Sequence, residues 1–290
     1  MRLLVTGGSG LLGSRVVAAC PEEWGVTATY GRRPVDGLIP MDLDVADSVE
    51  GAVLSGDYDW VVHCAAIRSP EQCMRDPVAA MRRNATAVAW VARAAARTGV
   101  RVAYASTDYV FPGDDPPYAE GAPPFPLNLY GHTKLAGEGF AMAVPGGLIV
   151  RMPMLFSTDL SAPNNIVADL RDAASAGRPT AADTQSVRYP TLAEDVAAAF
   201  VFLLGRDCQG IVHVSSEEPC TKLAFLRAAA EAAGVDPAMV VEQQSSPARA
   251  DRPVDSHLDT SLYRSLGGPP FKGYAEALRA VETGRSSPLR

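Results

Sequence analysis

The sequence predicts an α/β protein built on a doubly wound parallel sheet, and three observations carry that expectation. Short apolar runs rich in β-formers alternate with helical stretches through the first half of the 290-residue chain. The first run, residues 3–6, passes at once into Gly7-Gly8-Ser9-Gly10-Leu11-Leu12-Gly13 and then into helical sequence through Ala19. A later run, residues 100–105, ends at Ser106-Thr107-Asp108, which sets polar side chains at the exit of a buried strand, where open α/β sheets bind ligands.

A strand, a glycine turn and a helix are the setting of a phosphate cradle. Glycines permit the tight turn and close backbone approach, and the helix N-terminus attracts the anion. Gly7, Gly10 and Gly13 follow a Gly-x-x-Gly-x-x-Gly spacing, and with Ser9, Leu11 and Leu12 they are cofactor-binding candidates in a Rossmann-type unit. The second strand is expected at 25–30. An enzyme for the unphosphorylated dinucleotide places an acid just after it, to bind the ribose hydroxyl, whereas Gly31-Arg32-Arg33 stands here. A guanidinium pairs with phosphate through several directed donors, so Arg32 and Arg33 favour NADP(H). NAD(H) stays open, because Pro34 and Gly37 make the loop irregular and both arginines could simply be solvated.

Residues 42–47 follow a short third strand and precede a helix at 48–54, with Asp47 expected as its N-cap. The fourth strand is expected at 58–64, followed by the small Ala65 and Ala66. Residues 76–98 read as one long Ala-rich helix containing Asn84, a polar residue that needs a reason if it faces the sheet and none if it faces solvent. Residues 112–126 are too dense in Pro, Gly and Asp for a helix. Within the helical stretch 128–142, Tyr130 and Lys134 are four apart and project from one face. A phenol titrates near about 10 unaided, and an adjacent ammonium is expected to draw it toward the working range. Thr107 can hydrogen-bond a substrate oxygen beside that phenol. A further strand is expected at 148–152.

Three linked segments carry a resemblance: Ser106-Thr107-Asp108-Tyr109-Val110-Phe111, Pro117-Tyr118-Ala119-Glu120, and residues 126–138 with Tyr130-Gly131-His132-Thr133-Lys134. The chain resembles the extended short-chain dehydrogenase/reductases, in the branch of dTDP-4-dehydrorhamnose reductase and the regulatory β subunit of methionine adenosyltransferase. The resemblance implies a catalytic set of Thr107, Tyr130, Lys134 and Asn84, with Asn84 helping to hold a water that links the lysine to solvent. It implies that Asp44 and Val45 border the adenine, that Cys64, Ala65 and Ala66 pass beneath the pyrophosphate, and that Met152 borders the nicotinamide, with Tyr130 and Lys134 also touching the cofactor. It places Arg68, Thr107, Asp108, Tyr109, Asn165, Arg188 and Arg252 toward the substrate. For Arg188 and Arg252, clamping a diphosphate and pairing with the chain's carboxylates remain equal alternatives. Tyr118 and Glu120 are assigned to shaping their loop. Met154 stands where the reductases carry a tryptophan, which puts the aromatic floor of a sugar pocket in doubt.

Composition narrows the partners. The formal charge is −7, from 26 basic and 33 acidic residues, with no basic tract, so neither nucleic acid nor an anionic membrane surface is expected. The five cysteines show no Cys-x-x-Cys pair and no zinc-like histidine spacing, which reads as free thiols in a reducing, cytoplasmic setting without metal. Residues 284–290 read as a frayed tail.

These readings converge on a Rossmann-type doubly wound parallel sheet with a small C-terminal substrate-binding lobe. Residues 1–156 are mainly the NADP-binding domain and 157–290 mainly the lobe, with segments returning to the core. The expected activity is NADP(H)-dependent reduction of a keto group on a nucleotide-activated sugar, and a homodimer is compatible with it. The alternatives are a non-catalytic NADP-binding regulatory subunit and a nucleotide-sugar epimerase or dehydratase.

Overall fold

The computed structural model describes residues 1–243 and 251–282; the tail expected at 284–290 lies outside them. Seven strands form the central sheet: β1 (Arg2–Thr6), β2 (Gly25–Tyr30), β3 (Ile39–Pro40), β4 (Trp60–His63), β5 (Arg101–Ala105), β6 (Leu148–Arg151) and β7 (Gly210–His213). Their order is β7-β6-β5-β4-β1-β2-β3, and every neighbouring pair is parallel. Covered on both faces, such strands must be apolar throughout, which is why Leu3-Leu4-Val5, Trp60-Val61-Val62 and Leu148-Ile149-Val150 are unbroken.

Strand alternation sorts these side chains into two layers. Leu3, Val5, Val62 and Val150 pack with Val16 and Phe200, from the helices Leu11–Ala19 and Ala193–Gly205. Leu4, Val61, Val102 and Ile149 pack with Val49, Val91 and Ala141, from the helices Ala46–Leu54, Ala87–Thr98 and Leu129–Met142. The chain order reverses at β1, between β2 and β4, so the exits of β1 and β4 open on one crevice.

A smaller core is built from Phe156, Val167, Leu170, Phe225, Leu226, Val240 and Leu278, on the helices Ile166–Ser175, Lys222–Ala232 and Tyr274–Glu282 and short paired strands. The segment 193–213 leaves it to supply one sheet-covering helix and β7, and Tyr263 returns to the sheet's core.

Two local expectations are corrected. The helix after β3 starts at Ala46 with Val45 as its uncapped N-cap, so Asp47 lies inside the first turn. The turn is held instead by Asp42, whose amide donates to Ser48 Oγ at 2.9 Å and whose Oδ1 accepts the Asp44 amide at 2.9 Å. The long helix expected at 76–98 is three pieces: Pro77–Met81 capped by Asp76, a π turn Arg82–Thr86, and Ala87–Thr98. A π turn inserts one extra residue per turn, so it re-aims its side chains, and Asn84 lies within it.

Candidate active site

The glycine turn is shaped by steric need. Gly7 adopts φ +70°, and a Cβ on it would lie 2.9 Å from Ala65 Cα. A Cβ on Gly13 would meet the Gly7 carbonyl at 2.2 Å, and that carbonyl accepts the Gly10 amide at 2.8 Å. The turn therefore closes tightly on the β4 exit. Gly10 is the N-cap of the following helix and makes no side-chain capping bond, so the first-turn amides have no side-chain acceptor. Ser9 and Leu12 are half-buried beside it, whereas Leu11 is buried against Ala162 and Ala193. This donor-rich, glycine-lined cradle fits the pyrophosphate of a dinucleotide.

Arg32 and Arg33 are both exposed just beyond β2. Asp44 is held by a residue that sequence reasoning passed over. Arg83 grips its carboxylate through Nε at 3.0 and 3.1 Å and Nη2 at 2.5 Å, and this pairing keeps the Asp44 carboxyl below its usual range. Val45 is exposed, Cys64 and Ala65 are half-buried, Ala66 is exposed, and Met152 is buried at the exit of β6.

Lys134 is buried. Its ammonium donates to the Ala105 carbonyl at 2.6 Å and lies 4.0 Å over the Tyr104 ring. Burial pulls it down to about 7, opposed by the Glu138 carboxylate one turn on. Glu138 is itself fixed by Arg151, at 2.9 and 2.7 Å, and by the Ser106 hydroxyl at 2.5 Å. Tyr130 is half-buried, its ring edge-on to Tyr109 at 6.0 Å, and Thr107 is among the groups that act on its hydroxyl. The expectation that Lys134 lowers this phenol is corrected: burial raises it, and Thr107 is the main group acting against that rise.

Asn84 faces the interior. Its Oδ1 accepts the Ile67 amide at 2.7 Å, and its Nδ2 donates to the Ile67 carbonyl at 2.9 Å and to Thr133 Oγ1 at 3.0 Å. Its backbone carbonyl accepts the Tyr104 hydroxyl at 3.1 Å. A residue expected to hold a water is thus engaged at both side-chain and backbone groups, and Tyr104 bridges it to the lysine.

Asp108 is buried beside Thr107, its amide donating to the Met152 carbonyl at 3.0 Å. Burial raises its carboxyl above the usual range, while bonds from Ser256 and Thr107 and the charge of Arg188 work against that rise. Arg188 is 4% exposed; its Nη1 donates to the carbonyls of Val187 at 2.6 Å and Pro253 at 3.1 Å. Its Nη2 is buried without a hydrogen-bond partner among the described residues, and its guanidinium lies 5.6 Å from the Tyr109 ring centre. A buried N–H without an acceptor is costly, so this nitrogen has hydrogen-bonding capacity left to offer. Arg252 instead pairs with Glu71 at 2.6 Å, and Tyr109 is among the groups that raise it. Arg68 is exposed.

Asn165 is corrected from the substrate set. It caps the helix Ile166–Ser175; its Oδ1 accepts the amides of Ser157 and Val167, and its Nδ2 donates to the carbonyls of Ser157 and Asp159. With its amide saturated and 1% exposed, it builds a turn. Tyr118 and Glu120 hold their loop: the Tyr118 hydroxyl accepts the amides of Gly113, Asp114 and Asp115, and Glu120 accepts the His213 amide at 3.1 Å.

Among the described residues, no group of three or more His, Cys, Asp or Glu is placed to hold a metal, and no helix is long and apolar enough to cross a membrane. A family model described as the RmlD substrate binding domain matches residues 1–284. Methionine adenosyltransferase 2 subunit beta of Danio rerio is 34% identical over 285 residues, spanning 93% of this chain and 88% of that protein. The dTDP-4-dehydrorhamnose reductase of Mycobacterium tuberculosis is 30% identical over 287 residues, spanning 96% and 91%. The crystal structure of dTDP-4-dehydrorhamnose reductase from Bacillus anthracis in complex with NADP superposes with a TM-score of 0.83 at 26% identity, covering 98% of this chain and 99% of that one. The Thermus thermophilus UDP-glucose 4-epimerase complex with NAD gives 0.82 at 27%, covering 99% and 100%. With a family model matched over nearly its whole length and relatives of this identity, the chain belongs to the RmlD family of extended short-chain dehydrogenase/reductases.

Proposed function

We propose that the chain is an NADP(H)-dependent oxidoreductase that reduces a keto group on a nucleotide-activated sugar in the cytoplasm. One observation supports the reading: Thr107 follows β5, the buried Lys134 bonds the last carbonyl of that strand, and β5 lies two strands from β1, whose exit carries the glycine turn. When bound, NADP(H) supplies the hydride that goes to the carbonyl carbon. Tyr130 hands its phenolic proton to the carbonyl oxygen, Thr107 orients that oxygen, and Lys134 holds the phenol and the ribose. The cradle of Gly7, Gly10 and Gly13 takes the pyrophosphate, and Arg32 and Arg33 take the ribose phosphate. Arg188 offers its buried Nη2 to the substrate's diphosphate, while Arg252, tied to Glu71, positions Tyr109. The reductase of Bacillus anthracis, solved with NADP, supports this choice of cofactor and chemistry.

The test is a panel of purified dTDP- and UDP-keto-sugars assayed for oxidation of NADPH. Turnover with at least one keto-sugar is expected, and none with any would count against the reading. A second reading has its own support: the Danio rerio relative, at 34% identity, is a methionine adenosyltransferase subunit. Under it, the chain would bind NADPH, reduce nothing in the panel, and co-elute with a methionine adenosyltransferase catalytic subunit.

A further inference from the structure

The Thr107 hydroxyl neighbours both the Asp108 carboxyl and the Tyr130 phenol. Thr107 Oγ1 donates to Asp108 Oδ1 at 3.0 Å and accepts the Tyr109 amide at 3.2 Å, and it is the main neighbour acting against the rise of the Tyr130 phenol. At the far end, Asp108 Oδ2 accepts the Ser256 hydroxyl at 2.5 Å. Thr107 is 5% exposed, Asp108 3% and Ser256 1%, so bulk water does not compete along this row.

A row of hydroxyls ending on a carboxyl has two orientations. In one, the phenol donates to Thr107 and Thr107 donates to the Asp108 carboxylate. In the other, the Asp108 carboxyl donates to Thr107 and Thr107 donates to the Tyr130 phenolate. The two differ by the net passage of one proton from Asp108 to Tyr130. The other neighbour expected to serve the proton route is engaged: Asn84 holds Ile67 and Thr133 through its side chain and the Tyr104 hydroxyl through its carbonyl.

We propose that Asp108 restores the Tyr130 phenol, through the Thr107 hydroxyl, after each reduction. The proposal rests on the reductase reading above. Its step balances: the Tyr130 phenolate gains the Thr107 proton, the Thr107 oxygen gains the Asp108 carboxyl proton, and the Asp108 carboxylate regains a proton from solvent as product leaves. Nothing is oxidised or reduced beyond the hydride transfer itself. Asp108 acts through Thr107 and is a positioning residue, faced by Arg188, Tyr109, Tyr130, Thr107 and Ser256. Arg188 and the two hydroxyls favour the carboxylate and burial favours the acid, so both states are reachable.

The experiment compares wild type, Asp108→Asn and Ser256→Ala in steady-state reduction across pH, with thermal unfolding as the check on folding. Because the acid form supplies the proton, wild-type kcat should fall as pH rises through the Asp108 titration. Asp108→Asn should remove that alkaline limb and lower kcat about tenfold to a hundredfold, with KM near the wild-type value. Ser256→Ala removes a donor that favours the carboxylate, so the limb should move to higher pH. An unchanged limb in both variants, or loss of kcat and KM together in step with stability, overturns the proposal. Infrared difference spectra of the substrate-free protein supply an arm independent of turnover: a protonated-carboxyl band that titrates above the ordinary carboxylate range, is absent in Asp108→Asn and is displaced in Ser256→Ala. Absence of that band in wild type also overturns the proposal. A band present in a wild type that reduces no keto-sugar supports the proton row and defeats the reductase reading, so the two failures are told apart.

Discussion

The Lys134 ammonium lies 4.0 Å over the ring of Tyr104, whose hydroxyl is in turn fixed on the Asn84 carbonyl at 3.1 Å. A desolvated cation over an aromatic face gains about 2 kcal/mol, which offsets part of the burial that pulls this lysine down to about 7. If the dinucleotide prefers the ammonium form, the Kd for NADPH should rise as pH climbs above about 7 and level off once the bound protein's lysine has titrated. Lys134→Met should bind weakly, with no such rise, and Tyr104→Leu should move the rise to lower pH. Isothermal titration across pH checks all three, and a pH-independent wild-type Kd would contradict the assignment.

His63 is fully buried on β4, with Nδ1 bonded to Thr6 Oγ1 at 2.9 Å and Nε2 without a hydrogen-bond partner among the described residues. Burial, helped by the Lys134 charge, lowers it from 6.5 to about 3. The unfolded chain therefore binds more protons than the folded one between those values, and stability falls as pH falls through that window. His63→Gln should flatten the loss of Tm between pH 6.5 and about 3, even if its Tm at neutral pH is lower. Equal slopes for the two proteins would show that His63 is not the sensor.

Changing Arg32 and Arg33 together to alanine should weaken NADPH by about tenfold to a hundredfold, the loss of a charge-assisted contact, and leave NADH nearly unchanged. Both arginines are exposed, so folding should not suffer. Equal weakening of both dinucleotides would mean that neither residue reads the ribose phosphate.

Arg188 and Arg252 should behave differently. Arg188→Met removes the buried Nη2, which has no hydrogen-bond partner among the described residues, and the affinity for a sugar nucleotide should drop by about tenfold to a hundredfold with NADPH affinity kept. Arg252→Met breaks the pair with Glu71 and should act through Tyr109, with a smaller effect. An unchanged sugar-nucleotide affinity in Arg188→Met would return that residue to a structural role.

What the sequence disclosed follows from how local each signal is. β1, the glycine turn and its helix were legible because buried parallel strands are unbroken apolar runs and a Cβ at Gly13 would collide with the Gly7 carbonyl. The Tyr130–Lys134 spacing was legible because a helix sets neighbours four residues apart. The π turn at 82–86 was not, since Ala-rich sequence specifies a helix without specifying its register. Partners distant in sequence stayed hidden as well: Ser256 meets Asp108 across 148 residues, and Arg83 meets Asp44 across 39. Asn165 was misread because an asparagine that caps a helix and one that faces a ligand look alike until its four hydrogen bonds are seen. The lysine's effect on Tyr130 was overestimated because spacing reports proximity and says nothing of desolvation, which dominates here.

The most direct test of the central claim is Tyr130→Phe, which keeps the ring and removes the transferable proton. Measured beside wild type with NADPH and a keto-sugar taken from the panel, it should bind NADPH with near wild-type affinity while kcat falls about a hundredfold to ten-thousandfold, the contribution of a positioned general acid. Wild-type turnover that survives the substitution unchanged would contradict the account.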